Sequence, residues 1–222
     1  RLALAQQALG SPQAAKAALE RALALDSQLA PAHRLLGDLC LEAGRYPQAE
    51  AAYARALALQ PADDHARQGL GRSLYAQGRF QEAVAQLTQV SALGPEGLFA
   101  LARAQAHTGD LVRATWNYER WLERFGPSAE VSYYLGCARA HQGDLSGALA
   151  ALDQAAALAP ERADVLLQRG NVRLQRGDLA AAGQDLARAR ALAPESAEVA
   201  YALGVCYGRS GQDRQAAAEL ER

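Results

Sequence analysis

The sequence predicts an all-α protein, a solenoid of about six to seven helix-turn-helix repeats in 222 residues. Three observations support this fold class: a glycine recurs at a nearly constant interval, apolar residues follow a helical period on both sides of it, and small residues recur at fixed distances from it. A period of this length is typical of stacked helical pairs, because one pair alone cannot bury its apolar face.

The recurring glycine marks the turn inside each helical pair. It stands at Gly10, Gly44, Gly78, Gly109, Gly143, Gly177 and Gly211. The spacing is 34 residues, except for 31 residues between the third and the fourth glycine. A helix that ends here needs a left-handed residue, which glycine provides without strain. Aspartates follow three of these glycines and are expected to cap the next helix; they are Asp110, Asp144 and Asp178.

Small residues around each turn predict where two helices approach closely. Seven residues before the glycine stands Ala3, Gly37, Gly71, Ala102, Gly136, Gly170 or Gly204. Five residues after it stands Ala15, Ala49, Ala83, Ala114, Ala148, Ala182 or Ala216. Four residues further stands a large apolar residue, at Leu19, Tyr53, Leu87, Tyr118, Leu152, Leu186 and Leu220. We expect the small residue of the first helix and the alanine of the second to let the two helix backbones approach closely. Prolines at Pro61, Pro95, Pro160 and Pro194 separate the pairs.

This pattern resembles the tetratricopeptide repeat family over essentially the whole chain. The matching residues in one repeat are Leu36-Gly37, Gly44-Arg45-Tyr46, Ala49, Tyr53, Ala56-Leu57 and Pro61. The resemblance implies a right-handed α-solenoid. One departure is the bulky aromatic of the first helix, whose place is taken by His33, Arg67, Leu98, Ser132, Leu166 and Ala200. The fold should tolerate this loss, since solenoid stability is summed over repeats and interfaces.

The repeats are predicted to form one continuous solenoid. They span 1–29, 30–63, 64–94, 95–128, 129–162, 163–196 and 197–222, with the first and last incomplete and a short link after the third. No polar capping helix is evident at either end, so we expect a fragment of a longer protein.

The fourth repeat concentrates large aromatic residues. Trp121 stands where the other full repeats carry Ala56, Val90, Ala155 and Ala189. Two interpretations stay open for this repeat: local repacking of one interface, or a partner-binding patch in which Trp116 faces solvent.

The sixth repeat carries an arginine at a core place. Arg169 stands where other repeats have leucine, and Asp185 occurs on its second helix. Because an unpaired buried charge is costly, we predict an Arg169–Asp185 ion pair.

Composition and motifs argue against several functions. Lys and Arg number 23 against 24 Asp and Glu, which is not the footprint of a nucleic-acid binder. No apolar run is long enough to insert into a membrane. Three cysteines, Cys40, Cys137 and Cys206, favour a reducing, cytoplasmic location, with the periplasm as an alternative. No phosphate loop, His-Glu-x-x-His or Gly-x-Ser-x-Gly motif occurs, so we predict no enzyme, no catalytic residue and no cofactor.

Two histidines and a cysteine form one possible metal site. His107 and His141 occupy equivalent places in adjacent repeats, and Cys137 precedes His141 by one helical turn. Three such ligands could hold zinc. Carboxylates that would orient the histidines are missing, so we favour an ordinary polar surface and predict no metal.

The resemblance implies that the first helices line a concave groove. Counting Ala30 as position 1 of a repeat, positions 2, 5, 9, 12 and 13 should face a ligand. The candidate ligand-binding residues are Arg34, Gln68, Arg72, Phe99, Arg103, Tyr133, Leu167, Asn171 and Tyr201. The N-terminal half of this set is basic and the C-terminal half aromatic or apolar. It suits an extended or helical peptide that is acidic toward one end and apolar toward the other. The alternative is a solvated face whose arginines are neutralised by Asp38 and Glu42.

The sequence therefore predicts a protein-interaction scaffold for a protein or peptide partner. The family's carboxylate clamp and asparagine ladder are absent, because Lys16 is the one lysine and Asn117 and Asn171 the two asparagines. Two alternatives are end-to-end self-assembly into a homo-oligomer, and a regulatory or substrate-recruiting region of a larger enzyme.

Overall fold

The computed structural model describes residues 12–220 and confirms the all-α class for this part of the chain. Thirteen helices and no strand occur among these residues. In chain order they are α1 (Pro12–Leu25), α2 (Ala30–Glu42), α3 (Tyr46–Leu59), α4 (Asp64–Ala76), α5 (Phe80–Leu87), α6 (Pro95–His107), α7 (Leu111–Phe125), α8 (Ala129–His141), α9 (Leu145–Leu158), α10 (Ala163–Arg176), α11 (Leu179–Leu192), α12 (Ala197–Arg209) and α13 (Asp213–Leu220). No described helix is long and apolar enough to cross a membrane.

The chain divides into two compact units, one up to Asp110 and one from Leu111 onward. The first unit holds α1 to α6 and the second α7 to α13. Within each unit every helix packs on the next. First helices of successive pairs also touch, α2 with α4 and α4 with α6 in the first unit, and α8 with α10 and α10 with α12 in the second. Stacked helix-turn-helix pairs are thus the building plan of both units.

The recurring glycines end the first helix of each pair as predicted. All six that lie in the described residues have positive φ, from 68° at Gly44 to 89° at Gly177. The amide after the glycine then reaches back five residues, as Arg45 N–H does to the Cys40 carbonyl at 2.8 Å. This bond satisfies a carbonyl that the ending helix would leave open. Gly10 and Ala3 lie outside the described residues.

In four of the pairs, the small residue of the first helix is a glycine that packs against the large residue of the second: Gly37, Gly71, Gly136 and Gly170. An added Cβ would lie 2.6 Å from the Tyr53 ring at Gly37 and 2.7 Å from Leu186 Cγ at Gly170. The recurring alanines are buried throughout the described repeats, with Ala216 the most accessible at 9 %. Glycine at these positions therefore allows the close approach of the two helices that the spacing predicted, and the large side chain of the second helix fills the space.

The capping prediction is confirmed at one aspartate and wrong at another. Asp144 accepts a hydrogen bond from Gly147 N–H at 2.9 Å at the start of α9. Asp178 makes no side-chain cap on α11, because its carboxylate accepts a hydrogen bond from Arg176 Nε at 2.6 Å instead.

The predicted Arg169–Asp185 ion pair is confirmed and belongs to a larger cluster. Arg169 donates from Nε at 2.8 Å and from Nη2 at 2.6 Å to the Asp185 carboxylate. Arg173 on the same helix donates a third bond at 2.7 Å. Arg169 also donates to Asp153 on α9 at 2.9 Å. The cluster therefore ties α10 to both of its neighbours.

The two tryptophans of α7 differ in exposure. Trp116 is 55 % exposed, and the Arg120 guanidinium carbon lies 4.5 Å above its ring centroid. Trp121 is half-buried and contacts Phe125, with ring centroids 5.4 Å apart. Of the two interpretations left open for the fourth repeat, exposure of Trp116 is the observed arrangement.

Candidate functional site

The first unit contains a cavity of about 810 Å³ that is lined by residues of α1 to α4 and of α6. Its volume lies in the range of ligand pockets, roughly 300–1,000 Å³. Most of its lining is apolar or aromatic: Ala15, Leu19, Leu35, Leu39, Leu41, Tyr46, Tyr53, Tyr75, Ala76, Phe99 and Ala100. The ionisable lining residues other than tyrosine are Asp38, Glu42, His65, Arg72 and Glu96. Such a surface suits an apolar ligand group with charged neighbours.

The Asp38 side chain makes two polar contacts with other residues that line the cavity. The Tyr53 hydroxyl donates to Asp38 Oδ1 at 2.7 Å, and His65 Nε2 lies 3.0 Å from the same oxygen. Burial, with the Asp38 carboxylate as the second cause, raises the pKa of Tyr53. Tyr53 is therefore a neutral hydrogen-bond donor that holds the Asp38 carboxylate in place.

Three charged side chains of the cavity have no partner among the described residues. Arg72, Glu42 and Glu96 make no hydrogen bond and no ion pair with any residue that the structure describes. Arg72 is half-buried, whereas Glu42 and Glu96 are exposed. Their hydrogen-bonding capacity remains available to a ligand.

Position 5, which supplied most of the predicted ligand residues, has a structural task in both units. Arg34 Nη1 contacts Asp63 Oδ2 at 3.5 Å, and Gln68 Oε1 accepts from Gly94 N–H at 2.9 Å. Asp63 is the N-cap of α4 and Gly94 is the N-cap of α6, the first helices of the following pairs. Side chains at this position therefore hold the start of the following helix.

The second unit shows the same use of position 5. The Arg162 guanidinium carbon lies 5.2 Å from the Tyr133 ring centroid, and Arg162 is the N-cap of α10. Leu167 is 5 % exposed and packs in the core with α12 residues. Tyr201 on α12 is 65 % exposed. Of the position-5 candidates, Phe99 is the one that lines the cavity of the first unit.

The predicted residues at position 9 have separate environments. Arg72 lines the cavity. The Arg103 guanidinium stacks near two rings, 5.5 Å from the Tyr75 centroid and 5.8 Å from that of Phe99. Asn171 in the second unit is half-buried. The first unit therefore brings one of its three candidate arginines to the cavity, so the basic surface expected there is reduced to Arg72.

Sequence reasoning left several cavity residues out of its candidate set. They are His65 and Glu96 at position 2, Leu41 and Tyr75 at position 12, and Glu42 and Ala76 at position 13. These positions were expected to face the groove, so the repeat register itself was the signal that could have selected them.

The residues considered as possible zinc ligands make other contacts in the structure. His107 stacks on Phe80 with centroids 4.1 Å apart, and burial and then Arg103 lower its pKa. His141 Nδ1 lies 2.7 Å from the Cys137 carbonyl. Burial raises the pKa of Cys137 to about 11. No group of three or more His, Cys, Asp or Glu side chains that could hold a metal occurs in residues 12–220.

Comparison with solved structures shows similarity to helical-repeat proteins. YrrB, described as a TPR protein with an unusual peptide-binding site, is 18% identical, with a TM-score of 0.74 over 82% of this chain and 95% of its own. A tetratricopeptide repeat protein from Parabacteroides merdae is 17% identical, with a TM-score of 0.72 over 86% of this chain and 77% of its own. MamA from Desulfovibrio magneticus is 22% identical, with a TM-score of 0.67 over 72% of this chain and 92% of its own. At these identities the likeness concerns the fold.

Family models extend the comparison to the sequence. No curated protein matches the chain. One tetratricopeptide repeat model matches residues 41–107, and a second matches residues 1–64 and 117–163, which is half of the chain. The chain belongs to the tetratricopeptide repeat family.

Proposed function

We propose that this chain is a protein-interaction scaffold that binds a segment of a partner protein in the cavity of its first unit. The observation that supports this proposal most is the cavity, a largely apolar space with three charged groups that make no hydrogen bond or ion pair with the described residues. A ligand would bury the apolar lining and use those charges for orientation. The peptide-binding site named for YrrB supports the same use of this fold.

The proposal narrows the predicted set of binding residues. It retains Arg72 and Phe99, whereas Arg103 stacks near the Phe99 ring and does not line the cavity. Arg34 and Gln68 are assigned to holding the next helix, so a change there would weaken binding through the fold. For the second unit we propose Tyr133, Asn171 and the exposed Tyr201 as binding residues of that unit.

We propose no catalysis and no cofactor for this chain, and no nucleic-acid partner. The near balance of acidic and basic residues supports the last point. Three free thiols, two of them buried, support a reducing, cytoplasmic location.

Blocking the cavity tests the proposal. Ala76 is exposed at the C-terminal end of α4 and lines the cavity, so Ala76→Trp should fill it without disturbing the core. Ala54→Trp is a matched control, because Ala54 is exposed on α3 and does not line the cavity. Peptides selected from a random phage-displayed library on the wild-type chain should lose at least about tenfold in affinity with Ala76→Trp and little with Ala54→Trp. Equal affinities for both variants would refute the cavity as the site.

Self-assembly is the second candidate, favoured by the exposed aromatic ring of Tyr201. A second copy that covers this ring would remove a large apolar group from water. Light scattering across a concentration series should then show growing oligomers for the wild type and a monomer for Tyr201→Lys. A wild-type monomer at all concentrations would exclude assembly through this residue.

A further inference from the structure

The charges that line the first-unit cavity have the opposite balance to the one that the arginines predicted. Asp38, Glu42 and Glu96 contribute three carboxylates, whereas Arg72 contributes the one guanidinium. Arg34 is directed at Asp63, so its charge is already compensated outside the lining. An occupant therefore meets a predominantly negative surface.

The three carboxylates keep free acceptor capacity. Both contacts of Asp38, from Tyr53 and from His65, are made at Oδ1, and Oδ2 accepts no hydrogen bond from the described residues. Glu42 and Glu96 have no partner among those residues. A lysine or arginine side chain in the cavity could therefore donate to oxygens that no described residue occupies.

The remaining lining determines what accompanies that cation. Leu19 and Leu39 are buried beneath the cavity, and Tyr75 and Phe99 are half-buried at its wall. Aromatic and aliphatic groups of this kind favour a large apolar side chain. An acidic occupant would bury the same apolar surface but would bring its charge near three carboxylates.

We infer that the preferred occupant is a partner-protein segment in which a large apolar residue adjoins a lysine or arginine. This inference rests on the proposed function and adds the charge of the ligand. It reverses the acidic peptide that the sequence favoured, because two of the three arginines behind that expectation do not line the cavity.

Selection from a random 12-residue peptide library on the full chain tests the sign of the charge. We expect the enriched peptides to carry a net positive charge and an aromatic or branched aliphatic residue beside Lys or Arg. Enrichment of neutral or acidic peptides that still lose binding with Ala76→Trp would overturn the inference and leave the proposed function standing. No enrichment, or no effect of Ala76→Trp, would overturn both.

A charge-neutralising pair of variants then tests the named residues. The Glu42→Gln, Glu96→Gln double variant should bind an enriched basic peptide about threefold to tenfold more weakly than the wild type, as measured by fluorescence anisotropy. At high salt, which screens these charges, the two affinities should differ little. The Glu123→Gln, Glu161→Gln double variant removes the same charge at exposed glutamates that do not line the cavity and should change affinity by less than about twofold. Equal weakening by both double variants would mean a general charge effect and overturn the assignment.

Discussion

The charge cluster around Asp185 gives a sharp test of how the helices of the second unit are held together. Asp185 is 5 % exposed and accepts three hydrogen bonds, two from Arg169 and one from Arg173. Asp185→Ala would leave two guanidinium groups, 17% and 20% exposed, with Asp153 as their remaining carboxylate. Breaking a buried ion pair typically costs about 3–5 kcal/mol. Because Asp153 still contacts both arginines, we expect a loss of about 3 kcal/mol in the free energy of unfolding.

Two comparison variants separate burial from charge. Asp153 is 54% exposed, so Asp153→Ala should cost less than about 1 kcal/mol. The Arg169→Leu, Asp185→Ala double variant restores the residue types that the second repeat carries at Leu36 and Ala52. It should be more stable than Asp185→Ala alone, because it removes the arginine that the single variant leaves with a weaker partner.

Tryptophan fluorescence in urea is a suitable assay, since Trp116 and Trp121 both lie on α7 of the same unit. The free energy of unfolding should decrease in the order wild type, Asp153→Ala, Asp185→Ala, and its slope against urea concentration should be the same for all three. Equal losses for the two single variants would refute the argument, and so would a double variant that is less stable than Asp185→Ala.

Three further predictions concern a close approach, a buried phenol and a link between pairs. Gly170→Ala places a methyl group 2.7 Å from the facing leucine and should cost about 1–3 kcal/mol, whereas Gly183→Ala, with its nearest atom at 3.6 Å, should stabilise by about 0.5–1 kcal/mol. Burial raises the pKa of Tyr53, so the neutral phenol stabilises the folded state fully below about pH 10, where unfolded tyrosine titrates, and this contribution is lost as the pH rises further. Because phenylalanine does not ionise, the alkaline fall in the free energy of unfolding should be smaller in Tyr53→Phe, by about 1.4 kcal/mol at about pH 11. Gln68→Ala removes the bond to Gly94 N–H and should cost about 1 kcal/mol.

The same measurement, urea unfolding followed by far-UV circular dichroism, checks all three. The glycine variants lie in facing helices and control for each other, and destabilisation by both would contradict the close-approach argument. For the phenol, parallel alkaline losses in Tyr53→Phe and wild type would show that another group titrates. For the link, a Gln68→Ala chain with full stability but lost peptide binding would return Gln68 to the ligand-binding set.

The parts of the fold that sequence reasoning predicted are those encoded inside one helical pair. Gly44 and Gly177 end helices with positive φ, and Gly170 meets Leu186, because both partners lie at fixed distances around one turn. The Arg169–Asp185 pair follows the same logic. The contact between Arg34 and Asp63 was not predicted, because Asp63 belongs to the next pair. The period alone does not state which residues of successive pairs meet.

The contact between Asp38 and His65 shows how successive first helices meet, with position 9 of one beside position 2 of the next. Arg72 and Glu96 occupy the same two positions on α4 and α6, yet no hydrogen bond or ion pair joins them. One equivalent pair is thus joined within the chain, whereas the other is not. Position 5 serves the fold at Arg34 and Gln68. We therefore propose that ligand selectivity in this scaffold depends on the side chains at positions 2, 9, 12 and 13.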